Sequence, residues 1–190
     1  MDIPIHHRIV LLLGPTTSGK TTLSYKLKKT APVATTIISQ DDVVDSVTHQ
    51  KHGEILDSIA IRKRYNSLIK ESIKKPEELI VLDMLNIHLF EAWETILRIR
   101  RQGYFGKITL LKMDLPFQLQ SEFCKQRKDF NIPGMTTERL FSNMLTQLTC
   151  YQGSSGSLHH HFMFTDEYLI QDPREVEFTY SLAPSKQYKK

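Results

Sequence analysis

The stretch Arg8-Ile9-Val10-Leu11-Leu12-Leu13-Gly14-Pro15-Thr16-Thr17-Ser18-Gly19-Lys20-Thr21 decides the fold. The run ending at Leu13 is apolar, of strand length and without alternation, the pattern of a central strand buried on both faces of a parallel sheet. The eight residues from Gly14 to Thr21 satisfy G-x-x-x-x-G-K-[ST] in full, between that strand and a segment with helical spacing at Leu23 and Leu27.

The spacing has a physical purpose. A loop of this length wraps an anionic group with successive backbone N–H donors while the following helix N-terminus adds partial positive charge. Gly14 and Gly19 allow backbone conformations and close approach that a side chain would block. Lys20 is expected to reach the β- and γ-phosphates, and Thr21 to place its hydroxyl on Mg²⁺. Gly14, Pro15, Thr16, Thr17, Ser18, Gly19, Lys20, Thr21 and Thr22 are therefore the expected nucleotide-binding residues. A loop of small residues that merely joins strand to helix is the bland alternative, and the complete motif in its proper context outweighs it.

Outward from the loop, three further strand-like runs end on carboxylates: Thr35–Ser39 before Asp41-Asp42, Leu79–Leu82 before Asp83, and Lys107–Met113 before Asp114. His161-Phe162-Met163-Phe164 is the expected fifth strand. Helical spacing separates them at Ile55/Ile59/Leu68/Ile69/Ile73 and at Phe90/Trp93/Ile96/Leu97. The expected fold is α/β, a P-loop NTPase fold with a parallel sheet of about five strands, helices on both faces and a helical lid. Residues 1–190 read as one domain, with the lid at about 116–135 and a C-terminal tail at about 171–190. Within that tail, residues 175–180 alternate as an edge strand would, and the end from Ser185 reads as disordered. Two helices are expected between Pro116 and Cys150, interrupted at Asn131-Ile132-Pro133-Gly134.

Composition limits the function classes. The chain has 190 residues, 40% hydrophobic and 24% charged, with 25 Lys+Arg against 21 Asp+Glu, a net +4 too modest to demand a polyanionic partner. Two cysteines, Cys124 and Cys150, supply neither a zinc ribbon nor a disulfide scaffold. No run approaches the ~20 apolar residues of a membrane span, and the start lacks a secretory pattern. A soluble, cytoplasmic protein without membrane partners is expected, with an oligomer possible. No N-K-x-D motif for guanine is present, and the compact chain suits a phosphotransferase more than a motor or transporter ATPase.

Three residues are expected to complete the chemistry. Asp41 is favoured over Asp42 as the base that hydrogen-bonds the attacking hydroxyl; adjacent residues on an extended segment point to opposite sides, so only one of the two is expected to face the acceptor. The plain alternative for both is helix capping. Asp83 is expected at the metal with Thr21, although it and Asn86 would also satisfy a turn. Arg127, in the cluster Lys125-Gln126-Arg127-Lys128, is the expected lid arginine, its planar fork suited to phosphate oxygens. His159-His160-His161 cannot all face one ion from one strand. Trp93 with Phe90, Ile96 and Leu97 reads as helix core, and both Arg98/Arg100/Arg101 and Arg62-Lys63-Arg64 read as solvated faces.

The chain resembles the kinase domain of phage polynucleotide 5′-hydroxyl kinase and its relatives among tRNA-repair, aminoacyl-tRNA and zeta-toxin-like kinases, over about residues 8–150. Asp41-Asp42 is similar to that group's Asp-Asp, Leu82-Asp83-Met84-Leu85-Asn86 followed by Ala92–Thr95 to its Asp-x-x-Asn segment, and Leu115-Pro116 through Arg127 to Ile132-Pro133 to its lid. Departures stand at Val44, where the group often carries an acceptor-binding Arg, at Phe123-Cys124 in place of Arg-Asn, and after Pro133, where the group's Met is expected to be displaced to Met144 or replaced by Leu140. The resemblance implies transfer of the γ-phosphate of ATP, with Mg²⁺, to a hydroxyl acceptor, the 5′-OH of a polynucleotide foremost. A kinase of a nucleoside, sugar or nucleotide-sugar, or a non-catalytic nucleotide-binding module, are the alternatives.

Overall fold

The computed structural model describes residues 1–48, 58–83, 89–127, 135–152 and 165–182. Two strands, β1 (Asp2–Ile5) and β2 (Ile9–Leu13), precede α1 (Lys20–Thr30), β3 (Thr35–Ser39), α2 (Gln40–Thr48) and α3 (Ser58–Ile73). Then come β4 (Leu79–Asp83), α4 (Leu89–Arg101), β5 (Ile108–Met113), α5 (Phe117–Gln126), α6 (Thr137–Gln152) and β6 (Thr165–Ile170). A 3₁₀ turn (Pro173–Glu175) and β7 (Glu177–Tyr180) follow.

The main sheet is parallel throughout, in the order β3-β4-β2-β5-β6. All five residues of β2 are buried because it lies between β4 and β5 and both of its faces meet helices. Ile9, Leu11 and Leu13 face one core cluster with Tyr65 and Ile69 of α3 and Ile96 and Ile99 of α4. Val10 and Leu12 face the other, with Leu23 and Leu27 of α1, as period-two alternation of side chains requires. Truncating Leu11 to Ala would cost about 2–5 kcal/mol, since nothing at the sheet centre can collapse into the gap. Placing β2 centrally puts the loop after it at the carboxyl edge of the sheet, where ligands bind in open α/β folds.

The four strands expected from β2 to β5 form as read. The fifth differs. His161–Phe164 lies outside the described residues, and the strand pairing with β5 is Thr165–Ile170. Its Asp166 and Glu167 break the apolar pattern because β6 is a sheet edge with partners for both: His7 Nε2 lies 2.6 Å from Asp166, and Lys112 Nζ 3.9 Å from Glu167. The alternating tail does form a strand, but not at the edge of the main sheet. β7 pairs in parallel with β1 in a separate two-stranded sheet, Ile3 opposite Phe178, and the Met1 ammonium donates to the Glu175 carbonyl at 2.8 Å. The end from Ser185 and the break at Asn131–Gly134 lie outside the described residues, and so does Asn86.

Two helix-face readings change. Ile96 is buried, but Phe90 and Trp93 are exposed and meet edge-to-face, because α4 turns only its Ala92/Ile96/Ile99 stripe to the sheet. Arg100 is not a free solvated cation: it donates to the carbonyls of Tyr104 and Gly106 and closes the turn into β5. No helix among the described residues is long and apolar enough to cross a membrane.

Candidate active site

The loop after β2 is shaped by what surrounds it. A β-carbon at Gly14 would meet Met113 Cβ at 2.7 Å, so only glycine lets the loop pass over β5. Gly19, the residue before α1, has φ +83°, and a β-carbon there would lie 2.6 Å from Pro173 Cγ. Thr17 has φ +58°, uncommon for a β-branched residue, with its hydroxyl donating to the Thr16 carbonyl at 2.7 Å. Strain of this kind persists where surroundings over-determine the backbone, and the next residue back shows how. The Thr16 N–H donates to Gln147 Oε1 of α6 at 2.6 Å, and the Thr16 carbonyl accepts from Gln120 Nε2 of α5 at 2.8 Å.

Lys20 opens α1 with its ammonium turned back into the loop, donating to the carbonyls of Gly14 (2.8 Å) and Pro15 (2.6 Å). Burial lowers its pKa to about 8, against the opposing pull of Asp83 and Asp41, while Arg127 pushes the same way as burial. Three of the expected residues, Asp83, Asp41 and Arg127, thus act on the one ammonium of Lys20. Burial conversely raises the Asp83 carboxyl, partly offset by Lys20 and by hydrogen bonds from the Thr21 and Ser24 hydroxyls. One oxygen of Asp83, Oδ2, is buried without a hydrogen-bond partner. An orphaned carboxylate oxygen beside a threonine hydroxyl is a donor set of hard oxygens, which suits Mg²⁺.

A groove of about 1350 Å³ runs along these groups. It is lined by the loop from Thr16 through Thr22, by Asp41, Asp42 and Asp83, and by Arg127 at the end of α5. Gly14 and Pro15 are buried and are not among the residues that line it. Asp41 and Asp42 do not sit on an extended segment: both fall in the first turn of α2, which begins at Gln40, directly after β3. The expectation that only one faces the acceptor is therefore corrected, because residues one apart on a helix differ by about 100° rather than 180° and both line the groove. Ser39, not either aspartate, caps this helix, its Oγ accepting from the Asp42 N–H at 3.4 Å. Asp114 is exposed just past β5 and does not line the groove. Arg62, Lys63 and Arg64 are exposed on α3 as expected, Arg64 bordering a separate cavity of about 160 Å³ that also meets Asp42. His159–His161 and Lys128 lie outside the described residues.

Five residues of the site, Gln120, Gln147, Phe123, Pro173 and Arg174, were given no role by the sequence. Gln120 and Gln147 hold Thr16, and their partners are more than a hundred positions away in the chain, so only a pattern linking distant segments would have found them. Phe123 of α5 and Pro173 of the 3₁₀ turn both lie against Gly19, and the Arg174 guanidinium stands over the Phe123 ring at 5.4 Å. Arg174 is itself held by Asp172, at 2.6 Å from Oδ2. Aromatic and guanidinium faces next to a phosphate loop make a surface on which a planar base can stack.

No protein-family model matches the sequence, and no curated protein matches it. Solved structures do. A sugar kinase from Janibacter superposes with a TM-score of 0.52 at 16% identity, covering 90% of each chain. Shikimate kinase from Bacteroides thetaiotaomicron gives 0.52 at 14% identity over 87% of each. Kti12 from Chaetomium thermophilum, in complex with ADP-AlF3, gives 0.50 at 14% identity over 86% of this chain and 88% of that one. Likeness at this identity speaks to fold and not to substrate, and it does not carry the finer resemblance to polynucleotide kinases. The parallel sheet, the loop after its central strand and these superpositions agree: the chain has the P-loop kinase fold.

Proposed function

We propose that the chain is an ATP- and Mg²⁺-dependent phosphotransferase acting on a hydroxyl acceptor. The observation that carries this reading is the convergence of Lys20, Asp41, Asp83 and Arg127 around one groove beside a complete phosphate loop. In the proposed reaction the acceptor oxygen forms a bond to the γ-phosphorus as the bond to the β,γ-bridging oxygen breaks, and ADP departs. Asp41 accepts the hydrogen bond of the attacking hydroxyl and takes its proton. Lys20 leaves the Gly14 and Pro15 carbonyls for the β- and γ-phosphates, and Arg127 neutralises charge from the lid side. Thr21 and Asp83 would hold Mg²⁺, which when bound withdraws charge from the phosphate oxygens.

The acceptor side of the groove favours a small, uncharged, hydroxyl-rich molecule. The first two turns of α2 bring Asp41, Asp42 and Asp45 to the groove, with Ser39, Thr35 and Thr36 beside them, and a carboxylate wall repels a polyanion. A second reading, the 5′-OH of a polynucleotide, is favoured by the groove's continuation past Tyr25 and Lys28 of α1, an exposed aromatic face and a cation. The test is transfer of labelled γ-phosphate from ATP with Mg²⁺ to a panel of sugars, nucleosides and a 5′-hydroxyl oligonucleotide, with Lys20→Ala and Asp41→Ala beside the wild type. Label on a small acceptor, lost in both variants while Asp41→Ala still binds ATP, supports the first reading. Label confined to the oligonucleotide, weakening steeply with salt, replaces it with the second. No transfer to any acceptor would overturn both in favour of a binding module.

A further inference from the structure

Thr16 is held at both of its main-chain polar groups by glutamine side chains, Gln147 Oε1 at 2.6 Å on its N–H and Gln120 Nε2 at 2.8 Å on its carbonyl. The two differ in what remains. Gln120 is buried, whereas Gln147 is half-buried and lines the groove. Because the loop N–H is a donor, the Gln147 atom facing it must be the oxygen, which leaves the Nε2 amide group of this groove-lining residue for another partner. Among the described residues that amide nitrogen has no hydrogen-bond partner.

The position of Lys20 tells which phosphate this donor meets. The lysine of such a loop serves the β- and γ-phosphates, and here its ammonium rests on the Gly14 and Pro15 carbonyls, immediately before Thr16. Thr16 therefore borders the terminal-phosphate end of the loop. We propose that Gln147 is a terminal-phosphate-binding residue supplied by α6, its oxygen holding the Thr16 N–H while its amide N–H₂ donates to the γ-phosphate of a nucleoside triphosphate. This rests on the nucleotide-binding reading of the groove. It also gives α6 a role in the site: the helix packs on α5 through Leu140, Met144 and Cys124, so the contact that reads the third phosphate joins the loop to the helix pair flanking Arg127.

The substitution Gln147→Glu separates the two functions of the amide. A glutamate oxygen still accepts from Thr16, but a second anionic oxygen replaces the donor that would face the phosphate. Binding of ADP and of the β,γ-imido analogue of ATP, each with Mg²⁺, is measured by calorimetry on the full chain, with no acceptor present. The expected result is a wild-type preference for the triphosphate that falls by about tenfold or more in Gln147→Glu, with ADP affinity changed little, as loss of a charge-assisted hydrogen bond predicts. If Gln147→Glu melts early, Gln147→Met, of similar length and without polar atoms, is the second variant and is expected to lose the preference by a smaller factor. An unchanged preference, or equal weakening of both ligands, overturns the assignment of Gln147 while leaving the nucleotide site standing. Failure of the wild type to bind either nucleotide overturns both.

Discussion

Pro173 closes over Gly19: the proline ring lies where a β-carbon on that glycine would be, 2.6 Å from its Cγ, so the C-terminal segment seals the back of the phosphate loop. This contact couples two ends of the chain. Pro173 begins the turn that leads into β7, β7 pairs with β1, and the N-terminal ammonium caps the same turn at Glu175. Gly19→Ala meets two obstacles at once, the φ of +83° and the proline. It is expected to cost about 1–3 kcal/mol in urea unfolding and to abolish ADP binding. Adding Pro173→Ala should recover part of the stability but not the binding, because the backbone conformation still needs glycine. Wild-type affinity in Gly19→Ala would contradict the role given to this residue.

The buried lysine makes the site pH-sensitive in a defined direction. Folding lowers Lys20 from its ordinary 10.5 to about 8, so between those values the unfolded chain holds a proton that the folded one has released. Stability therefore rises with pH across this window, and below about 8, where both states are protonated, the full penalty of burying the charge applies. The wild type is expected to gain stability relative to Lys20→Met between pH 7 and 10. Triphosphate binding should run the opposite way, weakening as pH passes 8, because the anion requires the ammonium form. Calorimetry in buffers of different ionisation enthalpy should detect proton uptake on binding at pH 8.5, and none in Lys20→Met.

Asp83 is predicted to be a stability liability retained for a ligand. Burial raises its pKa and one oxygen lacks a partner, so the ionised form is disfavoured in the folded chain, and its contribution to stability declines as pH rises through the raised value. Asp83→Asn without ligand is expected to melt no lower than the wild type at neutral pH. The same substitution should remove most of the additional thermal stabilisation that Mg²⁺ gives to the ADP-bound protein. A variant that keeps the full Mg²⁺ effect would exclude Asp83 from the metal site.

How much of this was legible beforehand depends on the range of the interaction. Ile9–Leu13 and the loop to Thr21 announce themselves because their signal is local: an unbroken apolar run, two glycines at fixed spacing and a lysine at the start of a helix. The carboxylates after β3 and β4 follow from the same rule of polar residues at strand ends. Thr165–Ile170 does not read as a strand from its residues because an edge strand tolerates Asp166 and Glu167, whose partners His7 and Lys112 lie far away in the chain. The geometry of Asp41 and Asp42 was misjudged because α2 starts with no loop after β3. Gln120, Gln147, Pro173 and Arg174 carry no local mark at all; their significance comes from the tertiary contacts that bring them to Thr16, Gly19 and Phe123.

The surface formed by Phe123, Pro173 and Arg174 is expected to hold the nucleotide base, and this can be separated from phosphate binding. Phe123 and Pro173 flank Gly19, and the Arg174 guanidinium, fixed by Asp172, stands 5.4 Å from the Phe123 ring centroid. A base stacked there interacts through its face, worth about 1–3 kcal/mol on removal of the aromatic ring. Phe123→Ala should therefore weaken ATP by roughly tenfold or more while leaving inorganic tripolyphosphate, which has the phosphates but no base, close to its wild-type affinity. In turnover the same variant should raise KM for ATP with kcat little changed, because the contact is equal in ground and transition states. Phe123→Leu keeps the packing against Gly19 without a ring and should fall between the two, which guards against a loop merely loosened by the cavity. Equal losses for ATP and tripolyphosphate would mean that Phe123 supports the loop and the base binds elsewhere.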